Sequence, residues 1–382
     1  MSEIRPGVWK LRVYLCRNEN GSPVYRTSTV HGPKKEKGSG KAIAQKALRA
    51  MVTSVEKGNT STGSETVSDL LDLWLDHCDS LGRSATTMRE YRRITERTVR
   101  PKLGSKKLNA LTAQDLDKLY RELTAKGNKP ATVRRVHALI GAALKQAEKW
   151  GLVDRNVARL ASPPPARTVQ VTAPTAGEVQ LIIRAAEQVE PTMAAMLIIA
   201  ALTGARRGEL CALRWTDLDL AAGTLTIARS VYETAGGGWN EKGTKTHQGR
   251  RISLDPVVIE TLRRHRESVD RLAAQLDVTV REDAFMFSRS PAGAEPMRPD
   301  HVTKFMSRVA ASVGVNTHLH ALRHFAATEA IAAGFDPVTV GGRLGHADPS
   351  ITLRTYSHVL EQRDRELAAS LGRTLALPSA EA

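Results

Sequence analysis

The chain has 382 residues, with 56 Lys+Arg against 40 Asp+Glu, a formal charge of +16 with its 11 His neutral. At about 150 residues per domain that length holds two or three domains, and 41% hydrophobic with 25% charged residues excludes disorder throughout. Three scattered cysteines, Cys16, Cys78 and Cys211, exclude a disulfide scaffold and a cysteine-based zinc site and fit a reducing cytosol.

Residues 1–60 hold 12 basic and 4 acidic groups, residues 61–170 hold 20 and 12, and residues 171–382 hold 24 and 24. The whole excess of positive charge therefore lies in the first 170 residues, where it points to a polyanionic partner, nucleic acid before others. The N-terminus has no apolar run of the signal-peptide kind. The longest apolar stretch, residues 193–202, is about half of what a bilayer span needs. The expectation is a soluble protein of the cytoplasm.

The first segment runs to about residue 58. Trp9, Leu11, Val13 and Leu15 alternate with Lys10, Arg12, Tyr14 and Cys16, the period of a half-buried strand. A turn at residues 18–21 and a β-rich run at 24–30 predict a two-stranded hairpin. A loop carrying Lys34, Lys35 and Lys37 follows, then a helix over 41–56 with Ile43, Ala47, Leu48 and Met51 on one face. That helix is expected to pack across the hairpin, which is too small to be stable alone. Residues 58–64 read as a flexible linker.

The second segment, 65–162, reads as all helix. Val67, Leu70, Leu71, Trp74, Leu75 and Cys78 form an amphipathic stripe. A helix over 85–99 carries Arg89, Arg92, Arg93 and Arg97 and is expected to stop at Pro101 and Gly104. Thr112 and Asp115 resemble a capping box opening a third helix to residue 125. A fourth over 131–150 has Arg134 and Arg135 near its start. Arg-rich faces are ordinarily solvated surface. Here the acids Asp69, Asp72, Asp76 and Asp79 gather on the first helix, which leaves the other faces basic. Pro163-Pro164-Pro165 marks a stiff boundary.

The third segment, 170–376, is read as mostly helical with a small β insertion. Residues 193–202 are apolar on all sides, a central buried helix stopped by Gly204. Strands are expected over 224–231 and 250–254, on either side of a flexible tip at residues 236–238. Asp255-Pro256 opens a helix to residue 276. Further helices fit 299–313, 321–333, 337–344 and 350–360.

Several polar residues of this neutral segment need a chemical account. They are Arg206, Lys245, His320, Arg323, His346 and Tyr356. Singly, each has an ordinary reading: Arg206 could pair with Glu209, His320 could be a satisfied core histidine, and Tyr356 could be a buried helix residue. Together they are two guanidiniums, an ammonium, two imidazoles and a hydroxyl, a set suited to a phosphodiester. A tyrosine hydroxyl with a pKa near 10 is only about 0.1% ionised at pH 7. Two nearby guanidiniums favour its phenolate, and a neutral histidine can take the proton. No cluster of acids accompanies them, so two-metal chemistry is not implied. No Walker-type glycine loop implies ATP.

The ordered runs TGARRGEL, KT before a basic strand, HALRH and LGHADPSITLRTYSH resemble the tyrosine recombinase (phage integrase) family over essentially all of the third segment. The resemblance implies that Arg206 and Arg323 clamp the scissile phosphate and that Lys245 protonates the 5′ oxygen. By the same carry-over His320 assists proton transfer, His346 hydrogen-bonds the phosphate, Tyr356 is the nucleophile forming a 3′-phosphotyrosine, and Glu209 supports the site. Lys242 is the alternative to Lys245. Ala321 stands where the family often has a polar residue, and His324 and His358 are read as structural.

The same resemblance implies a multi-domain, mainly α fold with small β elements. An arm-type DNA-binding domain (1–58) would precede a four-helix, SAM-like core-binding domain (65–162) and a mixed α+β catalytic domain (170–376). The implied partners are double-stranded DNA at core and arm sites and a homotetramer of this chain. An excisionase and a DNA-bending host factor are candidate accessories. No metal or cofactor is implied, and the place of action would be the nucleoid of a bacterial host. Candidate DNA-contacting residues are Lys34, Lys35, Lys37, Arg89, Arg92, Arg93, Arg134 and Arg135. The tail after His358, with Leu367, Leu371 and Leu375, would dock on a neighbouring protomer or pack on its own. Three other tasks stay open for the same chain: dimer resolution of chromosomes or plasmids, type IB topoisomerase activity, and non-catalytic regulation by DNA binding.

Overall fold

A computed structural model describes residues 1–17, 20–33, 40–56, 62–165, 173–234, 236–243 and 249–345, with 368, 370, 371, 373 and 374. The chain divides into two compact units, Met1–Thr168 and Val169–Ala382. Among the described residues no helix is long and apolar enough to cross a membrane.

The first unit opens with an antiparallel sheet of three strands, β1 (Ser2–Arg5), β2 (Val8–Arg17) and β3 (Pro23–His31), with β2 in the centre. The sequence pattern predicts two. The additional β1 is too short and polar to show a period. It forms because Gly7, at φ 75°, turns the chain back onto β2 and accepts the N–H of Gly32 at 2.7 Å. Helix α1 (Lys41–Glu56) lies across the sheet and closes a small core of Trp9, Leu11, Ala44 and Met51, with Ala47 and Leu48 at its edge. Ile43, expected on this face, is 49% exposed. Positions 44, 47, 48 and 51 define the buried stripe, and residue 43 sits about 100° off it.

The helical part contains α2 (Val67–Ser80), α3 (Ala85–Ile94), α4 (Arg100–Leu103), α5 (Ala113–Ala125) and α6 (Pro130–Lys149). Every residue of the predicted α2 stripe is buried. Capping boxes close α2 (Thr66 with Asp69) and α5 (Thr112 with Asp115), each satisfying orphan N–H groups of a first turn. The helix begun by α3 runs past Pro101, the first expected stop, and ends at Gly104, the second. A π turn over Thr95–Val99 sends the Arg100 N–H five residues back to the Thr95 carbonyl, and α4 then runs on to Gly104. Pro101 falls in the first turn of this restarted helix, where its missing N–H leaves nothing unpaired.

The second unit is built round α8 (Pro191–Thr203), whose Met193, Met196, Leu197 and Ile199 are wholly buried. Helices α7 (Ala176–Val189), α10 (Pro256–Gln275) and α12 (Leu319–Ala332) pack against it. The short α9 (Arg207–Cys211), α11 (Pro299–Ser312) and α13 (Pro337–Leu344) complete the described α-helices apart from the last few residues. The strand expected over 224–231 is two strands in different sheets. β4 (Leu218–Asp219), β5 (Thr224–Ile227) and β8 (Arg250–Ser253) form one sheet, and β6 (Arg229–Glu233) pairs with β7 (Trp239–Gly243) in a separate hairpin. Leu225, Ile227 and Val231 stay buried straight through the break, so the alternation hides it. The helix expected over 350–360 lies outside the described residues.

Candidate active site

The site is built where α8 ends. Gly204 holds φ +64°, and a Cβ there would come within 2.3 Å of the Leu344 side chain on α13. Only glycine lets the chain turn so tightly against that helix. The Gly204 carbonyl accepts a 2.7 Å hydrogen bond from Arg323 Nη1, which reaches it from α12 and is 4% exposed. Two residues further on, Arg206 caps α9 in extended backbone. Its Nη2 donates to the Gly345 carbonyl at 2.8 Å and its Nη1 to Glu209 Oε1 at 2.8 Å. Arg206 and Arg323 thus converge on the two glycines that end α8 and α13.

Glu209 is 2% exposed and links two guanidiniums. It accepts the Arg206 backbone N–H at 2.9 Å on Oε2, and Arg250 donates to it through Nη2 at 2.7 Å and Nη1 at 3.2 Å. Burial alone would raise its pKa. The bonds and charge of Arg250, then those of Arg206, outweigh this and hold the carboxyl below the ordinary carboxylate range. Glu209 therefore stays ionised and fixes the direction of both arginines, while Arg206 stays one-third exposed and open to an anion.

His320 sits one helical turn before Arg323, and its ring meets that of His324 edge to face at 4.9 Å. The residue keeps exposed surface and is partly covered by its neighbours. Partial burial, followed by the charges of Arg323, His318 and Arg206, lowers its pKa below the usual imidazole value. The half-buried His324 is pushed down to about 4, first by burial and then by His320, His318 and Arg323. A neutral imidazole beside two guanidiniums can accept a proton, and the guanidiniums can hold phosphate oxygens by paired hydrogen bonds. Among the described residues no group of three or more His, Cys, Asp or Glu could hold a metal ion.

Arg206, Glu209, His320 and Arg323 are brought together. Lys245, His346, Tyr356 and His358 lie outside the described residues, as do Lys34, Lys35 and Lys37. Of the tail leucines only Leu371 is described, and it is 58% exposed. Among the arginines of the first unit, Arg89, Arg93 and Arg135 gather round Glu90. Glu90 takes a bidentate bond from Arg93 (Nε and Nη2, 2.8 Å each), which holds its carboxyl low. Arg92 pairs with Asp79, and Arg134 donates to the Pro164 carbonyl at 3.3 Å. All five of these arginines keep exposed surface.

Sequence reasoning missed Arg250. It lies on β8 on the same face as the buried Ile252, and that alternation was the available signal: an arginine on the inner face of a strand requires a buried acid. It also donates through Nε to the Arg343 carbonyl at 2.9 Å, and Arg343 in turn reaches the Ser253 carbonyl at 3.1 Å and the Leu202 carbonyl at 3.2 Å. These bonds tie the end of α13 to β8 and α8.

Residues 175–363 match the phage integrase family, and residues 66–124 match the phage integrase N-terminal SAM-like domain. An integrase of Saccharopolyspora erythraea is 24% identical, the match covering 96% of this chain and 94% of that protein. One of Streptomyces ambofaciens is 31% identical over 63% of each. Among solved structures, the Tn1549 transposon integrase in complex with a circular intermediate DNA superposes with a TM-score of 0.67 at 19% identity, over 80% of this chain and 100% of that one. The lambda integrase tetramer bound to a Holliday junction gives 0.60 at 18%, over 93% and 96%. Both share the mainly helical fold with small sheets. With two integrase domains matched in order along most of its length, the chain belongs to the phage integrase family of tyrosine recombinases, as an integrase of the mobile-element type.

Proposed function

We propose that this integrase cuts and rejoins DNA at a specific site through a 3′-phosphotyrosine and a Holliday junction, integrating or excising a mobile element without metal or nucleotide. The observation that carries the reading is the placement of Arg206, Arg323 and His320 around the ends of α8 and α13, with Glu209 fixing the guanidinium on its open side. Gly345, whose carbonyl Arg206 grips, directly precedes His346 in the sequence.

In the cleavage step the Tyr356 oxygen attacks phosphorus, its proton passing to neutral His320. Arg206 and Arg323 hold the two non-bridging oxygens, with His346 as a further donor, and stabilise the charge of the pentacoordinate transition state. The bond to the 5′ oxygen breaks as Lys245 gives that oxygen a proton. The phosphotyrosine ester conserves the linkage, so the 5′ hydroxyl of another strand can reverse the step with no external energy source.

Three domains divide this work. Residues 170–376 carry the chemistry, 65–162 grip the core site, and 1–58 bind arm sites. Arg89, Arg92, Arg93, Arg134 and Arg135, with Lys34, Lys35 and Lys37, supply backbone contacts that add affinity rather than sequence choice. The lambda integrase tetramer on a Holliday junction supports assembly of four copies on two DNA sites, and the Tn1549 integrase on circular-intermediate DNA supports DNA as the partner. An excisionase and a DNA-bending host factor would set direction.

The test is a nicked suicide duplex carrying the junction sequence that borders the coding sequence. Wild-type protein should accumulate a covalent adduct, and Tyr356→Phe should bind with unchanged affinity and form none. Adduct persisting in the variant would overturn the assignment.

A further inference from the structure

The hairpin of β6 and β7 leads into Lys245, and its attachment to the second unit is unusual. A two-stranded hairpin is marginal alone, and this one is tipped by Gly236, Gly237 and Gly238. Glu241 on β7 lies opposite Val231, which is 2% exposed, so both face the unit's interior. The carboxylate sits between two guanidiniums. Arg214 Nη2 donates to Oε2 at 2.9 Å, and Arg229 Nε approaches Oε1 at 2.9 Å. Each arginine is anchored a second time, Arg214 to Asp283 at 2.8 Å and Arg229 to both oxygens of Asp217 at 2.5 and 2.6 Å. Arg214 also lies over the Phe285 ring, 4.3 Å from its centroid, and Trp239 meets the same ring edge on at 5.6 Å.

The arrangement is a clamp closed on the outgoing strand. Glu241 stands four residues before Lys245 and, through Arg214 and through Arg229 at the start of β6, ties the hairpin to Asp283 and Asp217 outside it. Acid catalysis needs the proton held within hydrogen-bond reach of the leaving oxygen, and small displacements of a positioned group cost large factors in rate. We propose that Glu241, held by Arg214 and Arg229, is a positioning residue for protonation of the 5′ leaving oxygen. This rests on the reading of Lys245 as the acid given above.

A 5′-bridging phosphorothiolate substrate tests it. There the scissile bond is P–S, and the thiolate leaves without needing a proton, so any defect confined to acid catalysis disappears. Glu241→Gln is the variant of choice because it strands no charge: Arg214 keeps Asp283 and Arg229 keeps Asp217. Adduct formation is measured on matched oxygen and sulfur duplexes bearing the junction sequence, for wild type, Glu241→Gln and Lys245→Ala, with a melting curve for each protein.

The expected result is a loss of about 10- to 100-fold for Glu241→Gln on the oxygen substrate, with a rate within about threefold of wild type on the sulfur one. Arg214→Gln should show the same selective rescue. Equal loss on both substrates, or no loss on either, would overturn the inference. Lys245→Ala reports separately on the acid: a larger oxygen-specific loss rescued by sulfur supports that reading. A loss that sulfur does not rescue would remove it whatever Glu241 does.

Discussion

Replacing Glu209 by glutamine perturbs the point on which two site arginines depend. The carboxylate accepts four N–H groups, and an amide of the same shape keeps one acceptor oxygen while turning an NH2 toward guanidiniums that can only donate. Removing one partner of a buried ion pair costs about 3–5 kcal/mol when the remaining charge is stranded. Arg206 is one-third exposed and Arg250 retains the Arg343 carbonyl, so a cost below that range, about 2–3 kcal/mol, is expected here. At about 2–4 °C per kcal/mol for a unit of this size, calorimetry of the full chain should show the second unit melting about 4–12 °C lower.

Adduct formation should fall about 10- to 100-fold as Arg206 loses its fixed direction, with DNA affinity nearly unchanged. The pH dependence is an internal check. The folded-state pKa of Glu209 lies below its ordinary value of 4.5, so its contribution is fully present above that value and is lost as pH falls through the lower folded value. The gap between wild type and variant should stay constant from neutral pH to about 5 and close in stronger acid. A variant that melts and cleaves like wild type at pH 7 would refute the reasoning.

Gly204→Ala should destabilise the second unit by about 2–4 kcal/mol, combining a left-handed residue with overlap against buried Leu344. Because Arg323 hangs on that carbonyl, cleavage should fall more than DNA binding, and equal losses would contradict the placement. His324 titrates at about 4 when folded against 6.5 unfolded, so stability is full above pH 6.5 and declines toward pH 4. His324→Asn should flatten that decline in melting temperature, and an unchanged slope would count against it. Removing residues 1–60 should lower the salt dependence of binding to distal arm sites, since 12 of their side chains are basic. An unaltered slope would deny those residues a grip on DNA.

The buried helix α8 and its glycine stop were legible because an all-round apolar run has few alternatives, and the α2 stripe because its period is unambiguous. Arg206, His320 and Arg323 were legible as an ordered set. Strand β1 was not, since four residues with one apolar side chain among them, Ile4, show a period only through pairing with β2. The continuation of α3 past Pro101 depends on a π turn that no local pattern announces. The break between β5 and β6 is silent because its buried alternation runs on. Arg250 and Glu241 escaped for a shared reason: each looks like a surface charge until the fold supplies its opposite partner.

The central claim is that Tyr356 becomes joined to the 3′ phosphate of the cleaved strand. Digesting the trapped adduct with protease and nuclease and sequencing the peptide by mass spectrometry tests it directly. The account predicts one modified peptide, with a 3′-phosphonucleotide on Tyr356 and a free 5′ hydroxyl on the released strand. A nucleotide on any other residue, or a linkage through a 5′ phosphate, would contradict it.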